Sequence, residues 1–231
     1  MKKTIGILGG MGPFATVDLF EKIVMNTPAK IDQDHLKIII YNNPTIPPRI
    51  IDKEEANDIL PALIQSAKML ERSGADFIIM PCHTAHIWHQ QVKEKINIPF
   101  YSLIDQTAEA IKRDTLFSND KRVLLLATST TVSSMLYQKA FANSDISLVI
   151  PSMREQIIVD QAIRTVKQGM INTDSVAELN RVIKSYYNIG VSLLMGCCTE
   201  IPLMYSFLTT EIRMADPTLI LAKFAINQAI E

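Results

Sequence analysis

Short runs of consecutive apolar residues alternate along the whole chain with longer stretches whose apolar positions recur at helical spacing. A short, mainly apolar run of three to five residues fits a strand buried on both faces, as in a parallel sheet. Residues 5–8, 36–40, 77–80 and 99–103 form one such set, and 123–127, 147–150, 191–195 and 212–214 a second. The helical pattern occupies 13–25, 60–72, 86–94, 132–141, 155–167, 175–187 and 219–229. Strands alternating with helices predict βαβ units. Pro13 suits a first helical turn, and Gly74, Gly169 and Gly190 follow helical stretches as left-handed caps.

The two halves resemble one another. Gly74-Ala-Asp-Phe-Ile-Ile-Met-Pro-Cys82 and Gly190-Val-Ser-Leu-Leu-Met-Gly-Cys-Cys198 each run from a capping glycine through an apolar strand to a cysteine eight residues on. Cys82 and Cys198 lie 116 residues apart, half of the 231. Lys3 to Gly9 and Arg122 to Thr128 match in the same way, and Asp105 and Asp216 each follow the last strand of a half. A duplicated architecture is expected. The polar stretch 113–121 is the best candidate junction on composition, and the lack of a long linker implies closely packed lobes with a cleft between them.

Charge narrows the partners. With 23 basic and 24 acidic side chains the net charge is −1, so no basic stripe serves nucleic acid or an anionic membrane surface. Three cysteines are too few, and odd in number, for a disulfide framework. A reducing, cytoplasmic setting is expected. Lys2 and Lys3 followed by 4–17 imitate a signal peptide, but Gly9, Gly10, Gly12 and Pro13 break its helix, and no run approaches a membrane span of about 18 apolar residues.

Ligands of open α/β sheets bind beyond the carboxyl ends of the strands. Four segments fall there: Gly9-Gly-Met-Gly12, Tyr41-Asn-Asn-Pro44, Pro81-Cys-His-Thr-Ala-His86 and Gly196-Cys-Cys-Thr-Glu200. Cys82 and Cys198 each leave a strand for an expected helix N-terminus, where N–H groups and the dipole favour a thiolate. If the halves face one another about a pseudo-twofold axis, the sulfurs flank one cleft. Two opposed acid/base groups can invert a stereocentre by removing a proton from one face and delivering one to the other.

Gly-Gly-Met-Gly-Pro at 9–13, Pro-Cys-His-Thr-Ala-His at 81–86, Ala-Thr-Ser-Thr-Thr at 127–131 and Cys-Thr-Glu-Ile-Pro-Leu at 198–203 resemble the aspartate/glutamate racemase family. The likeness runs in order from about residue 4 to residue 224. It implies two pseudo-symmetric α/β domains, each a mainly parallel four-stranded sheet flanked by helices, with the active site in the interdomain cleft. The domains are expected at 1–104 plus 208–231, carrying Cys82, and at 105–207, carrying Cys198. The resemblance further implies a homodimer and racemisation of an acidic amino acid by two cysteines, with neither pyridoxal phosphate nor a metal as cofactor. The Gly-Gly-Met-Gly-Pro form and residues 44–49 look more like aspartate than glutamate racemases.

By position, Thr84 and Thr199 can bind an α-carboxylate and steady developing charge, or simply cap helices. Arg49, after Pro47-Pro48, can aim a guanidinium at a second carboxylate, which argues for a dicarboxylic substrate. The resemblance adds Met11, through its backbone, together with Thr131 and Lys167 as substrate contacts. It also makes His83 a substrate contact, standing where the family usually has Asn and lacking the amide's paired donor and acceptor. Thr130 replaces a common Gly, and Cys197 an ordinarily small residue; a vicinal disulfide with Cys198 is conceivable.

Other readings compete. The glycine loop lacks the G-x-G-x-x-G spacing, and no acidic residue ends the second strand, which weakens a dinucleotide site. His83, His86 and His89 do not share one helical face well as metal ligands, and His86 is better placed to orient the Cys82 loop. The expected activity is cofactor-independent aspartate racemisation. The alternatives are a broader glutamate-accepting racemase, a sister hydantoin racemase or maleate isomerase, and a non-catalytic binding protein for acidic amino acids.

Overall fold

The apolar runs of the first half pair in parallel: β1 (Ile5–Gly9) lies between β2 (Ile38–Asn42) and β3 (Phe77–Ile79), in the order β2-β1-β3. In the second half β4 (Arg122–Leu126), β5 (Ser147–Val149), β6 (Leu193–Gly196) and β7 (Arg213–Ala215) form a parallel sheet ordered β5-β4-β6-β7. Each sheet therefore has its first strand inside, its second on one flank and its third on the other. The computed structural model describes residues 2–49, 56–114 and 121–231. It separates into two units, Met1–Gln106 with Thr218–Glu231, and Thr107–Pro217.

Each unit has its own core, and the strand pleat sorts the side chains. In the first unit Ile5, Ile7, Phe77 and Ile79 pack with Leu19 and Ile23 of α1 (Pro13–Asn26) and Leu221, Ala222 and Ala225 of α9 (Pro217–Ile230). Leu8 and Ile78, one residue out of phase, pack instead with Ile59, Leu63 and Leu70 of α2 (Ala56–Arg72). In the second unit Leu124, Leu126 and Leu194 pack on Val159 and Ile163 of α7 (Met153–Lys167) and on Leu179 and Ile183 of α8 (Thr173–Asn188). Full burial of each such side chain is worth about 1.5–3 kcal/mol.

Caps fix where the helices begin and end. Ser152 accepts from the Glu155 N–H while Glu155 accepts from the Ser152 N–H at 2.9 Å, and Asn172 accepts from the N–H groups of Asp174 and Ser175. The left-handed glycines predicted at 74, 169 and 190 have φ of 91°, 77° and 89°.

Several elements differ from the sequence reading. The first sheet has three strands rather than four: of 99–103 only Phe100 bridges, to Ile78. Ser102 accepts from the Asp105 N–H at 3.1 Å and helps turn the chain into α4 (Leu103–Lys112), whose first residue lies at the end of the expected strand. The stretch 208–217, expected with the first domain, falls in the second unit, because β7 hydrogen-bonds to β6 with Leu193 beside Arg213. The expected junction at 113–121 lies mostly outside the described residues; Arg113 and Asp114 belong to the second unit, where Asp114 accepts from Arg213 at 2.7 Å. The helix expected at 86–94 is a 3-10 turn, Thr84–Trp88, followed by α3 (His89–Lys93). The one expected at 132–141 is α5 (Ser129–Ser133) and α6 (Leu136–Phe141), broken where Met135 takes φ of 60°. Among the described residues no helix is long and apolar enough to cross a membrane.

Candidate active site

In the first unit, Met11 after β1, Ile46 after β2 and Cys82 after β3 belong to one buried cluster, and Arg49 is hydrogen-bonded to Met11. The glycine loop is packed too tightly for side chains: Gly10 has φ of 99°, and a Cβ there would lie 2.3 Å from the Asn43 carbonyl carbon. Thr16 Oγ1 accepts from the Gly10 N–H at 2.9 Å, so that donor is already used inside the protein. Met11 is buried, and its carbonyl accepts from Arg49 Nη2 at 3.3 Å. Arg49 Nη1 donates to the carbonyls of Pro47 at 3.1 Å and Ile46 at 3.4 Å. The guanidinium thus ties the 46–49 loop to the glycine loop, while its five N–H donors leave it capacity for an anion.

Cys82 follows β3 by three residues and is 6% exposed; its N–H donates to the Met80 carbonyl at 3.0 Å. His83 and Thr84 are buried beside it in sequence. Burial, reinforced by His86, holds the His83 imidazole well below its usual pKa, which leaves it neutral. The His86 ring Nδ1 lies 2.7 Å from the Cys82 carbonyl. His89, stacked at 5.4 Å on His86, places Nε2 3.1 Å from the Phe100 carbonyl. Backbone partners thus occupy both nitrogens of His86, whose Nε2 accepts from the Leu103 N–H. Among the described residues no group of three or more His, Cys, Asp or Glu side chains could hold a metal ion.

In the second unit, Cys197 and Cys198 leave β6 with side chains in different surroundings. Cys197 is fully buried against Tyr137, whose hydroxyl is hydrogen-bonded to its sulfur, and burial pushes this thiol far up in pKa. Cys198 instead donates through Sγ to Glu200 Oε2 at 2.9 Å, and Thr199 Oγ1 reaches the same oxygen at 3.3 Å. Glu200 is only 2% exposed. All three cysteines are free thiols. Lys167, exposed at the end of α7, exerts a favourable charge on the Cys198 thiolate. Thr131 is buried in α5, its N–H donating to Thr128 Oγ1 at 3.2 Å.

Two expectations need correction. Neither thiol sits at the start of a long helix: Cys82 leads to the 3-10 turn at Thr84–Trp88 and Cys198 to another at Pro202–Phe207. Such short turns carry little dipole, and Thr84 and Thr199 are not their caps. Cys198 moves opposite to the expected direction, its pKa raised first by burial and then by the Glu200 carboxylate, against the smaller pull of Lys167. The sequence reading missed Glu200 as a partner of the second thiol. A polar side chain two residues past a cysteine was the available signal.

Each of the two parallel α/β units thus carries a buried cysteine just past its third strand. The chain belongs to the Asp/Glu/hydantoin racemase family, whose model matches residues 8–225. The protein is therefore a racemase, an isomerase of small amino-acid substrates. The aspartate racemase of Picrophilus torridus is 39% identical, with a TM-score of 0.85 over 98% of this chain and 94% of that one. An aspartate racemase homologue from Pyrococcus horikoshii OT3 is 28% identical, with a TM-score of 0.78 over the full length of both. The broad specificity amino-acid racemase RacX of Bacillus subtilis (strain 168) is 27% identical over 229 residues, 96% of each chain.

Proposed function

We propose that the protein interconverts L- and D-aspartate by α-proton transfer between two thiols, Cys82 and Cys198, without pyridoxal phosphate. The observation that carries this reading is the equivalent placement of the two buried cysteines, each just past the third strand of its unit, in sheets whose first three strands are arranged alike. The likeness to the P. torridus aspartate racemase supports aspartate as substrate.

The reading requires both sulfurs to reach one α-carbon from opposite faces. A thiolate removes the α-proton, the C–H electron pair is held by the adjacent carboxylate, and the other thiol delivers its proton to the opposite face. The two sulfurs end with exchanged protonation states, ready for the opposite enantiomer. Thr84, Thr131 and Thr199, with the backbone at Met11, serve the α-carboxylate; Arg49 and Lys167 serve the β-carboxylate; His83 contributes one neutral hydrogen bond. Positioned acid/base groups supply about 10²–10⁴-fold, so oriented donors around the developing charge must supply most of the remainder.

A broader substrate range is the second reading, favoured by the match to RacX along nearly the whole chain. His83 in place of the expected Asn is the position at which the range would widen. We further take the protein to act as a homodimer in the cytoplasm, consistent with the apolar side chains of Phe14, Val17 and Met25 exposed on α1; light scattering measures the assembly. The activity test is incubation with L-aspartate in D₂O without pyridoxal phosphate, following α-deuteration and D-aspartate together. Parallel incubations with L-glutamate and neutral amino acids decide between the readings. Absence of exchange with every amino acid would sink both.

A further inference from the structure

Both nitrogens of the His86 ring have backbone partners of fixed polarity. The Leu103 N–H can only donate, so Nε2, 2.9 Å away, is an unprotonated acceptor. The ring proton therefore sits on Nδ1 and is donated to the Cys82 carbonyl at 2.7 Å. The ring is 4% exposed and stacks on His89 with planes 8° apart. The backbone N–H of His86 donates to the His83 carbonyl at 3.0 Å. Leu103 opens α4, so its N–H is one of the helix-start donors that no intrahelical carbonyl can satisfy. His86 thus joins the peptide of the first cysteine to the start of a helix 21 residues further on.

We propose that His86 is the positioning residue of the first thiol, clamping the Cys82 carbonyl so that the Cα–Cβ bond, and with it the sulfur, keeps a single direction. The role deepens the racemase reading and rests on it. His86 takes no proton from substrate: burial holds its pKa down at about 3, so it stays neutral throughout the working range. Its contribution is geometric. A reacting group misplaced by about 1 Å costs on the order of 10²-fold in rate.

Two conservative variants separate the two bonds. In His86→Asn the amide N–H falls where Nδ1 was and keeps the bond to Cys82. In His86→Gln the amide oxygen falls where Nε2 was and keeps only the bond from Leu103. His86→Gln is expected to lose roughly 30- to 100-fold in kcat with KM changed less than about 3-fold, and His86→Asn to stay within about 5-fold of wild type. A purely structural histidine would give losses that follow thermal stability in both variants; that pattern, or full activity in His86→Gln, overturns the proposal. Nitrogen-15 NMR of the wild type tests the bond without any substrate. The Nδ1–H tautomer, unchanged between pH 5 and 8, supports the clamp, whereas an Nε2–H tautomer or a titrating ring refutes it. If the wild type turns over no amino acid, the racemase reading fails, and the NMR result still decides the clamp itself.

Discussion

Cys198 Sγ lies 2.9 Å from Oε2 of Glu200, a thiol donating to a carboxylate that is almost wholly buried. The pairing gives the second cysteine a resting state with its proton in place, because burial and the neighbouring negative charge both oppose the thiolate. In the proposed reaction, forming the Cys198 thiolate works against both effects, with the Lys167 cation as the opposing pull.

Glu200→Gln removes the charge and keeps the shape. The Cys198 pKa should fall, moving the pH profile of its alkylation toward lower pH, and the pH profile of racemisation should move in the same direction. Mass-spectrometric alkylation rates from pH 6 to 10 read the first effect, and deuterium exchange reads the second. An alkylation profile identical to wild type would show that Glu200 does not govern this thiol.

Replacing the cysteines one at a time tests the pair. Cys82→Ser and Cys198→Ser are each expected to lose at least about 10²–10⁴-fold in interconversion. Cys197→Ser should keep most of the rate, since a hydroxyl can retain the bond with Tyr137 in that buried site. Loss in the Cys197 variant equal to that of Cys198→Ser reverses the assignment within the adjacent pair.

Much of this was legible in the residues. Ile5-Gly-Ile-Leu and Val123-Leu-Leu-Leu are apolar without interruption because central parallel strands are covered on both faces. The missed α4 begins inside the apolar run 99–103, where a strand and a helix start look alike until Ala108 and Ile111 continue the helical spacing. The strand at 212–214 was visible, but its partner was not, since pairing with β6 is decided by the tertiary fold. Glu200 was hidden for a different reason. Glutamate is rarely buried unless paired, and the expected helix N-terminus after Cys198 gave no sign that its carboxylate turns back to the thiol two residues away.

Arg49 joins the glycine loop to the 46–49 loop through three carbonyls, so its loss should act on both binding and local order. Arg49→Lys keeps the charge but not the planar fork. A rise in KM for aspartate of roughly 10-fold or more is expected for Arg49→Lys, and more for Arg49→Ala, with kcat less affected. Steady-state kinetics with aspartate and with a neutral amino acid checks the assignment. An equal rise for both substrates would mean that Arg49 holds the loop and does not read the β-carboxylate.

Stability on the acid side should be governed first by buried histidines. His83 and His86 have folded-state pKa values below the ordinary 6.5, His86 at about 3, because burial disfavours the charged ring. A base with a depressed pKa contributes stability that is complete above pH 6.5 and is lost as pH falls, because only the unfolded chain then binds the proton. Each ring adds a slope of about 1.4 kcal/mol per pH unit once the pH is below 6.5. Urea denaturation at pH 7, 6 and 5 should therefore show falling midpoints before most carboxylates titrate. His86→Asn removes one titrating ring, so its curve should be flatter over this interval than that of the wild type, whatever its stability at pH 7. Parallel curves for the two proteins would mean that His86 does not remain neutral in the fold.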